Sequence, residues 1–139
     1  MATSVRRTLA QEYFEKARVR RLALDVFLLH GAHADVVRES QELVELLLKG
    51  LLRKMGLDPP RWHDVSSVLK DNEDMLPEEV RVVLPRIVKL SSRLRRDREL
   101  SFYGDEDYLP SENFGLDESA EALGDCDFLL ALLESHLKA

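Results

Sequence analysis

The densest chemistry in the chain lies in Arg93-Leu94-Arg95-Arg96-Asp97-Arg98, followed shortly by Asp105-Glu106-Asp107. Clustered guanidinium groups suit anions, phosphate above all, because each presents a planar fork of N–H donors. Helical geometry decides which of them can face inward. Ile87, Ser91, Leu94 and Arg98 are spaced by 4, 3 and 4 residues, so on a helix they share one face. Arg98 then continues an apolar seam with Arg95 beside it, while Arg93, Arg96 and Asp97 point to water. An arginine on such a seam is costly unless it is paired. Two arrangements satisfy it. Arg98 can pair with an acid such as Asp127, Asp105 or Glu106, or it can line a cleft between two copies of the chain where an anion binds.

Other residues are candidates with a structural reading beside the functional one. Asp64 can stabilise the start of a short helix with His63 packing locally, or His63 and Asp64 can form a second polar element near a ligand cleft. His30 and His33 are three apart, but no further ligand has matching spacing, so no metal site is expected. Trp62 and Phe102 can stack on bases or fill core. The acidic run at Asp105, Glu106 and Asp107 can reach Mg²⁺ through a bound nucleotide, or remain a solvated loop. Cys126 is the one cysteine, so no intramolecular disulfide forms and a small buried residue is expected. There is no Gly-rich phosphate loop, zinc motif or Ser-His-Asp arrangement in recognisable context, and no cofactor is expected.

The elements that position these residues are helices. No stretch alternates cleanly as a strand would, and no Asn-Gly or Asp-Gly turn marks a hairpin. The expected fold is all-α: an up-and-down antiparallel bundle of four long helices plus a short one. The first helix runs from about Val5 to His30, with Leu9, Tyr13, Ala17, Leu24, Phe27 and Leu28 inward, and Gly31 stops it. The second runs from about Ala34 to Met55. Its apolar arc, from Val36 through Leu43, Leu47 and Leu51 to Met55, is wide enough for a central helix or for one that also meets a second subunit. Gly56 and Asp58-Pro59-Pro60 end it. A short third helix covers about Trp62 to Leu69. The fourth starts at Pro77 and runs to about Leu100, with a kink at Pro85. Residues 101–116 read as a long loop, and Asp117 as the N-cap of a last helix reaching about Leu137.

At 139 residues, one domain over 1–139 is expected, long enough to bury a core without staples. The net charge of -6 argues against generic nucleic-acid binding and confines any RNA contact to a local basic patch. No signal-peptide stretch follows Arg6-Arg7 and no segment is long enough to span a membrane, so a cytoplasmic location away from membranes is expected.

Two segments carry a family resemblance. Glu39-Ser40-Gln41-Glu42-Leu43-Val44-Glu45-Leu46-Leu47-Leu48-Lys49-Gly50-Leu51-Leu52 resembles the second helix of HEPN domains, where a Gln-Ala-Ala-Glu-x-x-x-Lys-x-x-Leu pattern leads into a Gly. Met55-Gly56-Leu57-Asp58-Pro59-Pro60-Arg61-Trp62-His63-Asp64-Val65 resembles that family's Gly-x-x-Pro-x-x-His-Asp-Leu segment, and Glu118-Ser119-Ala120-Glu121-Ala122-Leu123 its closing helix. The resemblance covers nearly the whole chain. It implies a four- or five-helix bundle that usually dimerises. It also implies a place beside a minimal nucleotidyltransferase, often in a toxin–antitoxin pair. Many such proteins cut RNA, and others bind nucleotides without cutting.

The cutting members share an Arg, four to six arbitrary residues, then His. Here Tyr103 stands at that place, after four residues from Arg98 or six from Arg96, and no His does. Metal-free RNA cleavage needs a group that moves a proton near neutral pH and a cation for the phosphate. Histidine, at roughly 6.5, does this, whereas tyrosine titrates at roughly 10. Tyr103 suits hydrogen bonding to phosphate or stacking on a base. The expected protein is therefore a dimeric HEPN protein that binds nucleotide or RNA through Arg95, Arg98, Tyr103, Asp105 and Glu106, with a nucleotidyltransferase partner and without efficient ribonuclease activity; no catalytic residue is assigned. A metal-independent RNase toxin and a non-catalytic protein-interaction bundle are the alternatives.

Overall fold

The computed structural model describes residues 8–61, 64–102 and 109–138. All regular structure among them is helical: α1 (Leu9–Leu29), α2 (His33–Lys54), α3 (Val65–Asp71), α4 (Glu78–Val82), α5 (Leu84–Phe102), α6 (Pro110–Asn113) and α7 (Leu116–Leu137), with a 3-10 turn at Glu73–Met75 between α3 and α4.

Local chemistry sets the ends. Thr8 caps α1: its hydroxyl accepts from the Gln11 N–H at 3.2 Å, and the Gln11 side-chain oxygen accepts from the Thr8 N–H at 2.8 Å. This reciprocal pair satisfies two donors that a helix start leaves open. The expected start near Val5 lies outside the described residues. Gly31 and Gly56 stop α1 and α2 with φ of 68° and 79°, a conformation glycine adopts without steric cost. After α2 the chain turns back tightly, the Leu57 N–H donating to the Leu52 carbonyl at 2.9 Å.

α2 is the central helix and packs on α1, α5 and α7, with α3 beside it. Its wide apolar arc is used up inside one copy: Leu43, Leu47, Leu48, Leu51 and Leu52 are all essentially inaccessible. Burial of each such leucine contributes about 1.5–3 kcal/mol. Gly50 lets three helices approach closely, since a Cβ there would stand 3.3 Å from Leu137 Cδ1 and 3.4 Å from Tyr13 Cβ.

Several expectations change, among them the short helix expected from about Trp62 to Leu69, which forms at Val65–Asp71 because Asp64 caps it. Pro85 does not kink one long helix; it separates two. α4 ends at Val82, Val83 leaves helical geometry, and Pro85 sits in the first turn of α5, where a missing N–H leaves nothing unpaired. The 101–116 stretch is not a plain loop, because α5 continues to Phe102 and α6 forms at Pro110–Asn113. Asp117 is not the N-cap of the last helix. Gly115 takes that position, with its N–H donating to Glu118 at 2.7 Å, and Asp117 lies in the first turn, where its charge suits the helix dipole.

α1 is apolar on two sides. Ala10, Phe14, Ala17 and Leu24 face the core, while Val19, Leu22, Val26 and Leu29 stand at least half exposed along the outer side. Leu9, expected inward, is 52% exposed, because Thr8 places it in the first turn at the bundle's end.

Candidate functional site

The sequence seam on α5 emerges as a burial gradient. Ile87, Ser91 and Leu94 are buried against α2, and one turn further on Arg98 reaches the rim. There it pairs with Glu42 of α2 at 2.5 Å. Of the acids expected for Arg98, Asp127 does not fill this role. Asp127 instead holds Arg21 of α1 at 2.7 Å, because α7 turns that carboxylate toward α1 rather than α5. Asp105 and Glu106 lie outside the described residues.

Arg95 stands beside Asp64, Nη1 to Oδ1 at 3.3 Å. Asp64 also caps α3, accepting from the Ser66 N–H at 3.0 Å. It therefore starts the short helix as its structural reading expected, and its second contact is to Arg95. Its neighbour His63 lies outside the described residues, as do Trp62 and Tyr103.

Between α2 and α5 an open cleft of about 280 Å³ is lined by Gln41, Glu45, Arg95, Arg96 and Arg98. Arg96, expected to serve only as a solvated charge, contributes to the wall although its side chain is 72% exposed. Arg93, also expected in water, points the other way and binds α7. It pairs with Asp125, and its Nε lies 3.1 Å from Glu121. Burial pushes the Asp125 carboxyl above its ordinary range, and the Arg93 guanidinium pulls it back.

Gln41 and Glu45 were not singled out from the sequence as site residues. They are one turn apart on α2, and the only signal was their place in a polar strip on an otherwise apolar helix. Gln41 is 4% exposed and donates through Nε2 to Glu45 Oε2 at 3.2 Å. Its carbonyl oxygen is buried without a hydrogen-bond partner among the described residues. Behind the cleft lies a second cavity of about 10 Å³, shared by Gln41, Glu45, Asp64, Ser91 and Arg95. That is room for roughly one water.

Chemically, the cleft can hold an anion. A guanidinium has five N–H donors, and one carboxylate engages at most a fork of two. Arg95 thus keeps donors for a ligand while Asp64 fixes its direction, and Arg98 is fixed beside it by Glu42. Among the described residues lining the cleft there is no histidine.

His33 and Cys126 are occupied structurally. His33 Nδ1 lies 2.7 Å from the Ser119 hydroxyl on α7. Cys126 is fully buried with its Sγ 3.8 Å from the Ser40 carbonyl, and burial pushes its thiol up to about 12. Among the described residues no group of three or more His, Cys, Asp or Glu side chains is placed to hold a metal ion. None of their helices is long and apolar enough to cross a membrane.

No curated protein and no solved structure was found to match the chain. A family model does match, that of the HEPN domain, over residues 10–136. That span runs from the first turn of α1 to the last turn of α7 and includes both walls of the cleft; the chain belongs to the HEPN domain family.

Proposed function

We infer that this HEPN-domain protein binds a nucleotide or RNA in the α2–α5 cleft, that it does so as a dimer beside a nucleotidyltransferase partner, and that it cuts RNA inefficiently if at all. The observation that carries the reading is the convergence of Arg95, Arg96 and Arg98 on one open cleft of about 280 Å³. Three guanidinium groups in one place favour a phosphate-bearing ligand even on a chain of net charge -6. Two of the three are steered by carboxylates, Arg95 by Asp64 and Arg98 by Glu42. Such steering lowers the ordering cost of binding. The absence of a histidine from the described lining, together with Tyr103 where a cutting member carries His, supports binding over cleavage. Dimerisation and the nucleotidyltransferase association rest on family membership.

The test is an equilibrium titration of the purified protein with nucleoside diphosphates and single-stranded RNA at two salt concentrations. Binding that weakens with salt and is lost in the Arg95→Ala/Arg96→Ala double variant supports the reading. No binding at low salt removes it. RNA cleavage abolished by Arg98→Ala and Tyr103→Phe favours a ribonuclease instead. Light scattering of the eluting protein, alone and with its nucleotidyltransferase, reads the assembly state.

A further inference from the structure

The two walls of the cleft have opposite hydrogen-bonding character. The α5 wall offers donors only, from Arg95 and Arg96, with Arg98 held beside them by Glu42. The α2 wall offers acceptors. Gln41 spends one of its two amide N–H groups on Glu45 Oε2, and its buried carbonyl oxygen lacks a partner among the described residues, so the acceptor that faces the cleft is Glu45. Exchanging the two ends of the amide does not relieve this, because it would turn a carbonyl oxygen toward a carboxylate. Glu45 keeps lone pairs on both oxygens. Among the described residues its ion-pair partner is Lys49, 3.7 Å from Oε1, beyond ordinary hydrogen-bond length.

A ligand that fills this cleft must therefore bring anionic oxygens to one side and N–H donors to the other. A bare polyphosphate satisfies the arginines but sets negative oxygens against Glu45. A nucleotide satisfies both walls only if its base edge donates. A carboxylate accepts best from two parallel N–H groups, as it does from a guanidinium. Among the four bases, guanine has that pair on its Watson–Crick edge, N1–H beside N2–H₂. Adenine and cytosine place one amino group next to a ring nitrogen whose lone pair would face the carboxylate, and uracil flanks its single N–H with two carbonyls.

We propose that the α2–α5 cleft selects guanine: Glu45 reads the N1–H and N2–H₂ edge, and Arg95 and Arg96 hold the phosphate. The proposal rests on the reading of the cleft as a nucleotide site. A free guanine nucleotide and a guanine within a single strand of RNA present the same edge and phosphate, so both arms belong in the test.

The experiment measures dissociation constants of the full chain for GDP, ADP, CDP, UDP and pyrophosphate, and for a short oligoadenylate with and without one central guanine. GDP should bind roughly tenfold or more tighter than ADP, the discrimination expected of a paired base contact. Pyrophosphate should bind more weakly than GDP. Glu45→Gln replaces one acceptor by a donor at nearly constant shape, and should bring GDP down to the level of ADP while leaving ADP unchanged. Arg95→Ala/Arg96→Ala should weaken all four nucleotides together. Equal affinity for the four nucleotides, and for the two oligonucleotides, overturns guanine selection and leaves the nucleotide site standing. Binding of none of them overturns the site and the selection together. The wild-type comparison decides between these outcomes even if Glu45→Gln does not fold, and a preference seen only in the oligonucleotide pair assigns the guanine to RNA.

Discussion

The Arg93 guanidinium on α5 reaches the Asp125 carboxylate on α7, and this contact ties together two helices that α2 otherwise bridges. Asp125 is buried, and burial raises its pKa despite Arg93. A carboxyl raised in the folded state favours the protonated folded form. Its contribution to stability is therefore greatest at low pH and declines as pH rises from the unfolded value, roughly 3.9, through the folded one. Arg93→Met should push the Asp125 pKa higher still. Relative to wild type it should cost about 1–3 kcal/mol at pH 7 and less at pH 4, because the raised carboxyl takes up its proton as the pH falls and no longer needs the guanidinium. Denaturant unfolding of both proteins at the two pH values measures this. An equal loss at both would show that the pair's charge is not what matters.

Gly50 sits where α1, α2 and α7 meet. Gly50→Val adds branched bulk against Leu137 and Tyr13 and should lower stability by about 1–3 kcal/mol, overpacking outweighing the gain from removing a helix glycine. Thermal melts followed by circular dichroism read the shift. A Tm unchanged or raised would mean that α7 moves aside freely.

The Cys126 thiol, pushed up to about 12 and fully buried, should not react with a thiol reagent in the native protein at pH 8. It should react at a rate that rises with denaturant in step with global unfolding. Labelling followed by mass spectrometry would detect the opposite result, fast modification without denaturant, which would mean that α7 separates locally from Ser40.

Pro85 in the first turn of α5 denies no hydrogen bond to its helix. Pro85→Ala should therefore destabilise by only about 0.4–1 kcal/mol, through the freer unfolded chain. In a continuous kinked helix the same change would stabilise, by restoring a bond and relieving a clash. The sign of the change in urea midpoint separates the two architectures.

The sequence made the helices legible where period and punctuation agree. Gly31 and Gly56 mark real ends, and the face of Ile87, Ser91 and Leu94 is buried as its spacing requires. Periodicity could not show that Val83 leaves the helix, since a proline inside an apolar-periodic stretch is compatible with a kink or a fresh start. Nor could it pair charges across helices. Whether Arg98 meets Glu42 or Asp127 depends on the rotation of α2 and α7 about their axes, a tertiary quantity that no local spacing encodes. The outward prediction for Arg93 failed for that reason: α7 occupies the side that would otherwise be solvent. In the candidate site, the α5 arginines were visible because charge on an apolar seam stands out. Gln41 and Glu45 were not, because on α2 they look like ordinary helix polarity.

The break at Val83 has a consequence for how the arginine wall is aimed. Each residue of an α-helix turns the chain by about 100°. Because α5 begins afresh at Leu84, the azimuth of Arg95, Arg96 and Arg98 is counted from that residue and not from α4 or the 3-10 turn before it. A residue inserted in the connection at positions 72–77 leaves the count intact. A residue inserted between Leu84 and Arg95 swings all three guanidinium groups about 100° around the axis, away from Glu45, while the helix itself stays whole. The cleft is in this sense a matter of phase, and the linker upstream is free to change length without disturbing it.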